Sequence, residues 1–273
     1  MEAQWSLVLF TVISGAGAWL FATSMMGALA KKSPLPTKVE PIVAIVLLAV
    51  GGVASVAHLK HIDRIFEALN HPTSGIFVEA ALIGVLIVLA LIYLIMLVRK
   101  SGESGTRIVG VVTMVIAVIF PFMCGYSYMM EARQAWMTIA LPLSYWATAA
   151  VAGAGLNLLL KAVAKDEAAS VGFAGILTVV CSAAAAVCSI AFFVYAGAWL
   201  GNAKSGCVAW IAATFACIVI ALAAGALAVK KAESATAAGV AATAAGAVCA
   251  IALRVAMWLV GTPLLDFFLQ PLD

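Results

Sequence analysis

The sequence predicts an all-α integral membrane protein built as a bundle of eight transmembrane helices. Of its 273 residues, 66% are hydrophobic and 10% are charged, and the mean hydropathy is +1.17. Soluble domains contain about 25% charged residues, so this composition excludes a soluble domain. The lengths of the apolar stretches agree, because a helix needs about 20 apolar residues to cross a bilayer.

Eight stretches of this length divide the chain, which we interpret as a single membrane domain over residues 1–273. The first stretch follows no basic residues and is too long for a signal peptide, so it is interpreted as a retained helix. The sixth is the longest and is expected to tilt or project. Short connections favour antiparallel packing of neighbouring helices. The predicted spans are approximately 5–30, 40–59, 76–98, 107–130, 136–160, 170–200, 206–229 and 237–262.

The distribution of lysine and arginine predicts the orientation. Ten of these residues lie in odd-numbered connections, four lie in even-numbered connections, and Arg254 lies within the last span. Cytoplasmic connections carry the excess of basic residues. We therefore predict a multi-pass protein of the cytoplasmic (inner) membrane with both termini extracytoplasmic. A membrane-interface belt of aromatic side chains is expected near the outer ends of the spans, from Trp5, Trp136, Trp199, Trp210 and Trp258.

The second connection, "HLKHIDRIFEALNH" at residues 58–71, contains all three histidines of the chain. Its apolar residues recur with helical spacing, which predicts a short amphipathic helix on the membrane surface or over the bundle. His61 and His71 are expected to be solvated or structural. His58 ends the second span and faces the same side as the remaining candidates.

Two ionisable residues inside the spans stand out, because charged groups there are costly and usually functional. Glu79 lies near the start of the third span and Arg254 lies in the eighth, both toward the predicted outer face. Tyr126 and Tyr128 are expected at a similar level. Two simpler interpretations stay open: Arg254 extends to lipid headgroups, or Glu79 is merely its ion partner.

The placement of these groups favours some functions over others. A transmembrane haem pair needs histidines on facing helices. Because all three histidines lie in one connection, a haem site within the bundle is disfavoured. Translocation is disfavoured, since transporters usually carry broken helices and polar residues near the midplane. The six cysteines include no Cys-x-x-Cys pair, so neither an iron–sulfur cluster nor a zinc site is indicated. Oxidation of a quinol fits better, because it releases two protons that His and carboxylate side chains can accept.

The segments "AHLKHIDRIFEALNH" and "FVEA" resemble the connection between the second and third helices of the membrane anchor subunit of dimethyl sulfoxide reductases. Eight spans with both termini outside also match that family. Weaker similarities are Trp136 with Pro142, and Arg254, although the family usually has Gly-Arg where this chain has Leu253-Arg254. The matching residues of the connection are His58, Leu59, Arg64, Phe66, Leu69, Asn70 and Glu79.

The resemblance implies a haem-free, metal-free subunit that binds menaquinol near the outer face. His58 and Glu79 are the expected catalytic pair, associated with quinol binding and deprotonation. Arg64, Tyr126, Tyr128 and Arg254 complete the predicted quinol-binding set.

The expected partners are an iron–sulfur electron-transfer subunit on the extracytoplasmic face and, through it, a molybdopterin catalytic subunit of anaerobic respiration. The chain would thus serve a quinol-dependent oxidoreductase without holding its catalytic centre, and it would contact lipid but no nucleic acid. The alternatives are a polysulfide or nitrite reductase type of quinone-binding anchor, a purely structural anchor, or a transporter.

Overall fold

Eight long helices account for most of the computed structural model, which describes residues 3–56 and 74–261. Each is long and apolar enough to cross a membrane, which confirms the predicted all-α class with eight spans; the orientation stays a prediction. The helices are α1 (Trp5–Leu29), α2 (Val39–Val56), α3 (Gly75–Val98), α4 (Glu103–Tyr126), α5 (Ala140–Val163), α6 (Ala168–Ala196), α7 (Cys207–Lys230) and α8 (Ala235–Val260).

The connection between the second and third helices lies largely outside the described residues. The predicted amphipathic helix falls there, and so do four polar side chains considered in the sequence analysis: His58, His61, Arg64 and His71.

The largest difference from the predicted boundaries lies between α4 and α5. The predicted spans 107–130 and 136–160 are observed as Glu103–Tyr126 and Ala140–Val163, so residues 127–139 form a connection with one short 3-10 turn, Gln134–Trp136. Its apolar residues include Tyr128 and Trp136, both buried against other helices. A hydropathy pattern cannot distinguish apolar residues that face lipid from those that pack against protein. Tyr128 and Trp136 are of the second kind, which is why the sequence analysis placed them in or beside the spans.

The helices form two four-helix bundles, α1–α4 and α5–α8, in which each helix packs on its sequence neighbours and the last packs on the first. The bundles meet mainly along α1, α4 and α5. The α1–α5 contact is close enough that a Cβ at Gly153 would lie 2.6 Å from the backbone nitrogen of Leu20. Small residues allow this approach where lipid gives helices no hydrophobic reason to associate.

Three helices end in the same way at one end of the molecule. Lys31, Lys100 and Lys165 follow α1, α3 and α5 with left-handed φ values of 54°, 51° and 56°. A left-handed conformation costs a non-glycine residue roughly 1–2 kcal/mol. We name this end, where α1, α3 and α5 finish, the Lys161 end, and the opposite end, where α3 begins, the Glu79 end.

Candidate functional site at the Glu79 end

Glu79 lies near the start of α3 and is buried, with 9% of its surface exposed. The helix begins at Ser74, whose hydroxyl accepts a hydrogen bond from the backbone N–H of Phe77 at 3.3 Å. At its first residue, Gly75, a Cβ would lie 2.8 Å from the hydroxyl oxygen of Ser127. The start of α3 therefore packs directly on the end of α4 and fixes the depth of Glu79.

The hydroxyl of Ser127 lies within hydrogen-bonding reach of the Glu79 carboxyl. It also lies 3.0 Å from the carbonyl oxygen of Met123, to which it donates. A hydroxyl has one hydrogen but two lone pairs. Ser127 can therefore accept a hydrogen bond from a protonated Glu79, or turn its hydrogen toward an ionised one.

Arg254 is completely buried in α8, so the interpretation that it extends to lipid headgroups is wrong. Its Nε donates to the Thr11 hydroxyl at 2.7 Å, and one terminal nitrogen donates to the Thr148 hydroxyl at 3.3 Å and to the Ala250 carbonyl at 2.9 Å. The guanidinium also lies 4.1 Å from the centre of the Tyr145 ring. Threonine side chains of α1 and α5 thus hold a cation of α8 inside the protein.

Glu79 and Arg254 form no ion pair with each other, so the second simpler interpretation is not supported either. Both lie within electrostatic range of the same three side chains, Cys124, Tyr128 and Tyr145. The two charges therefore flank one cluster of weakly polar, mostly aromatic groups.

The two tyrosines of the predicted site have different surroundings. Tyr126, the last residue of α4, is 51% exposed and stacks on Phe122. Tyr128 is 8% exposed, and burial raises the pKa of its phenol well above the usual range. The Tyr128 hydroxyl therefore stays protonated at physiological pH. The structure brings Tyr128, rather than Tyr126, into the cluster between Glu79 and Arg254.

Tyr128 also belongs to a buried aromatic cluster with Trp136 and Trp258. The sequence analysis assigned these two tryptophans to a membrane-interface belt. Trp136 is fully buried, donates its indole N–H to the Met257 carbonyl at 2.9 Å, and meets Trp258 edge-to-face at 5.1 Å. The Arg133 guanidinium lies 4.4 Å from the centre of the Trp136 ring and donates to the carbonyl of Gly261.

The predicted membrane-interface belt is therefore wrong for Trp136 and Trp258, whose rings face protein rather than headgroups. The only other sequence observation on Trp136 was its weak similarity, with Pro142, to the family pattern, which does not indicate burial.

Sequence reasoning missed a second polar cluster, at the Lys161 end. Lys161 of α5 pairs with Glu40 of α2 at 2.8 Å and with Asp166 at 3.1 Å. Glu40 and Lys161 are each 3% exposed, and the Thr37 hydroxyl donates to the other carboxylate oxygen of Glu40 at 2.5 Å. A signal was available: Glu40 is the first residue of the predicted span 40–59, and Lys161 follows the span 136–160.

Metal ligation has no support in residues 3–56 and 74–261, where no three His, Cys, Asp or Glu side chains come together. The six cysteines are all free thiols.

Comparison with known proteins completes the description of the site. The family model described as DMSO reductase anchor subunit (DmsC) matches residues 1–260. A relative from Haemophilus influenzae, named as the C component of an anaerobic dimethyl sulfoxide reductase, is 29% identical over 159 residues. That alignment covers 56% of this protein and 57% of the relative, so the match spans little more than half the length of either protein.

Proposed function

Because this chain belongs to the family of DMSO reductase anchor subunits, we propose that it oxidises menaquinol at the Glu79 end for a molybdopterin oxidoreductase complex. In this proposal, electrons pass to an iron–sulfur subunit docked on the extracytoplasmic face, and the protons are released there during anaerobic respiration. The observation that carries the proposal is Glu79, a buried carboxyl that no cation pairs with in the described part of the chain. The predicted family membership is confirmed.

The reaction requires two proton acceptors and an outlet for two electrons. A quinol that becomes a quinone loses one proton from each hydroxyl and two electrons from the ring. Glu79 is placed to accept one proton as a general base, with Ser127 as its hydrogen-bond partner. His58 is proposed for the other proton and Arg64 for headgroup binding; both lie outside the described residues. The electrons are taken by the partner subunit.

The aromatic cluster that Tyr128 shares with Trp136 and Trp258 suits a quinone headgroup, and Tyr128 lies within electrostatic range of Glu79. Tyr128 offers a protonated phenol, and the buried indole N–H of Trp258 has no hydrogen-bond partner among the described residues. Buried donors normally find a partner, and a quinone oxygen would supply one. The rings of Tyr128, Trp136 and Trp258 pack edge-to-face on one another, and in this proposal they offer the headgroup an apolar surface. Tyr126 is proposed only for the entrance, since it is exposed.

Arg254 is proposed to act through its charge rather than by touching the quinol. Its nitrogen atoms already bind Thr11, Thr148 and Ala250, and the residue is completely buried. A fixed positive charge favours the anion that forms when a quinol loses its first proton. Because no carboxylate of the described residues neutralises Arg254, that charge remains available.

The test compares two electron donors on the purified complex with its partner subunits. Glu79→Gln preserves shape and removes the base, so it should lower quinol-dependent turnover by about 10²-fold or more. Turnover with an artificial donor that reduces the partner subunits directly should be unchanged. Glu103→Gln is the matched control, because Glu103 is an exposed glutamate at the opposite end.

Two outcomes would contradict the proposal. Normal quinol oxidation by an assembled Glu79→Gln complex would remove the role of Glu79. Parallel loss of both activities, with poor assembly, would instead favour a purely structural anchor.

A further inference from the structure

Three lysines at the Lys161 end share one unusual backbone arrangement. We propose that Lys31, Lys100 and Lys165 form a binding surface for the headgroups of anionic phospholipids in the adjoining leaflet. This inference is independent of quinol oxidation and concerns the other end of the molecule.

The three lysines occupy the same position of the same helix-ending motif. In each case the lysine N–H donates to the carbonyl three residues earlier, and the next residue's N–H donates to the carbonyl five residues before it. This is the Schellman motif, whose left-handed position is usually glycine. The chain places lysine there three times and so keeps a backbone strain that glycine would relieve.

The fold at this end does not require that strain. The fourth helix that finishes here, α7, is followed by Lys231 with a φ of −136° and has no left-handed residue at its end. Helix ends from both four-helix bundles use the strained form, since α1 and α3 belong to one bundle and α5 to the other. A function of the lysine side chain accounts for the repetition better than local folding does.

A second observation points to lipid as the ligand. Two residues before each lysine, the last residue of the helix is apolar and exposed: Leu29 is 39% exposed, Val98 is 56% exposed and Val163 is 60% exposed. Each lysine therefore stands directly beyond an apolar surface that faces the acyl chains. That is the level of the headgroups, where lysine stems lie along apolar surface and ammonium groups meet phosphate.

The surrounding charge favours an anionic headgroup. The exposed residues Lys32, Lys38, Arg99, Lys230 and Lys231 lie at the same end. Two of the carboxylates there, Glu40 and Asp166, pair with Lys161, and Glu103 pairs with Arg107. The exposed carboxylates Glu167 and Glu233 also lie at this end, but they are fewer than the exposed lysines and arginines, so a positive surplus remains.

The test measures how much anionic lipid stabilises the protein. Wild type and the triple variant Lys31→Gly/Lys100→Gly/Lys165→Gly are placed in nanodiscs of phosphatidylcholine, with or without phosphatidylglycerol. The gain in thermal midpoint caused by phosphatidylglycerol should fall by about half or more in the triple variant, because three cations at the surface are removed. In phosphatidylcholine alone, its midpoint should equal or exceed that of wild type, because glycine suits the left-handed position.

Two matched variants separate charge from backbone. The corresponding triple arginine variant should keep the full gain, and Lys204→Gln, at the opposite end, should keep it as well. If the triple glycine variant does not fold, the triple glutamine variant tests the same loss of charge. An undiminished gain in the neutral variants would overturn the proposal. So would an equal gain from free inorganic phosphate in phosphatidylcholine nanodiscs, because a lipid surface would then be unnecessary.

Discussion

The two ends of the molecule bury the same kinds of charge in opposite arrangements. At the Lys161 end, the carboxylate of Glu40 and the ammonium of Lys161 lie 2.8 Å apart. At the Glu79 end, Glu79 and Arg254 are both buried, yet no ion pair joins them. A closed pair satisfies its own charges and holds helices together. Two separated charges remain available to a third group, which suits a site where a substrate changes its charge.

The surroundings of the two carboxyls match this division. Glu40 has Lys161 and Thr37 as partners, and its pair links α2 of one bundle to α5 of the other. Glu79 has the Ser127 hydroxyl and lies beside aromatic rings. A buried charge with few partners lowers stability, so its presence points to function. Four predictions test this contrast, in order of decreasing effect.

The largest effect is expected from Lys161→Met. It leaves Glu40 buried without its cation, so the free energy of unfolding should fall by about 3–5 kcal/mol. Thermal unfolding in detergent measures this, with quinol turnover per folded molecule unchanged. Replacing both partners, as Glu40→Leu/Lys161→Met, should recover most of the loss, because no fully buried charge is then left unpaired. Asp166 also loses its cation, but its side chain is 24% exposed and can be hydrated. A double variant as unstable as the single one would contradict a closed pair.

Arg254→Met should cost less stability than Lys161→Met, about 1–3 kcal/mol, because its loss leaves hydroxyls rather than a carboxylate without a partner. Thr11 and Thr148 keep their own hydrogen bonds to backbone carbonyls. Quinol turnover should fall while turnover with an artificial donor stays normal. If Arg254→Met is instead the more destabilising of the two, the charge of Arg254 is compensated after all, and the two ends do not differ in this way.

Ser127→Ala should lower quinol turnover by about 2–10-fold, the scale of one hydrogen bond to the reacting carboxyl. Its control is Ser182→Ala, because Ser182 is also a serine that donates to the carbonyl four residues earlier, at 2.8 Å, but lies in α6. Steady-state rates with quinol distinguish the two variants. Equal rates would show that Ser127 only caps its helix.

The smallest effect is expected from Glu103→Gln. Glu103 pairs with Arg107 at 3.1 Å, and its side chain is 74% exposed. Exposed pairs of this spacing contribute about 0.3–0.5 kcal/mol. The thermal midpoint and quinol turnover should both stay close to those of wild type, and a marked loss of either would show that burial does not separate these glutamates.

Much of the fold could be predicted from the sequence. Of the charged residues compared above, Glu79 and Arg254 could also be predicted, whereas Glu40 and Lys161 could not. Hydropathy located the eight helices because lipid demands long apolar stretches whatever they pack against. Glu79 and Arg254 stood out because an ionisable residue inside such a stretch is conspicuous. The connection that contains His58 and Arg64 carried the resemblance to the family, which the family match confirmed.

Only the tertiary structure separated residues that hydropathy treats alike. Trp136 and Tyr128 are as apolar as a lipid-facing belt would be, and packing against α8 decided that they are buried. Glu40 and Lys161 lie at the edges of their stretches, where a charge is expected to meet water. They are buried because α1, with α2 packed against it, lies on α5, a contact between residues more than a hundred positions apart that no local pattern encodes.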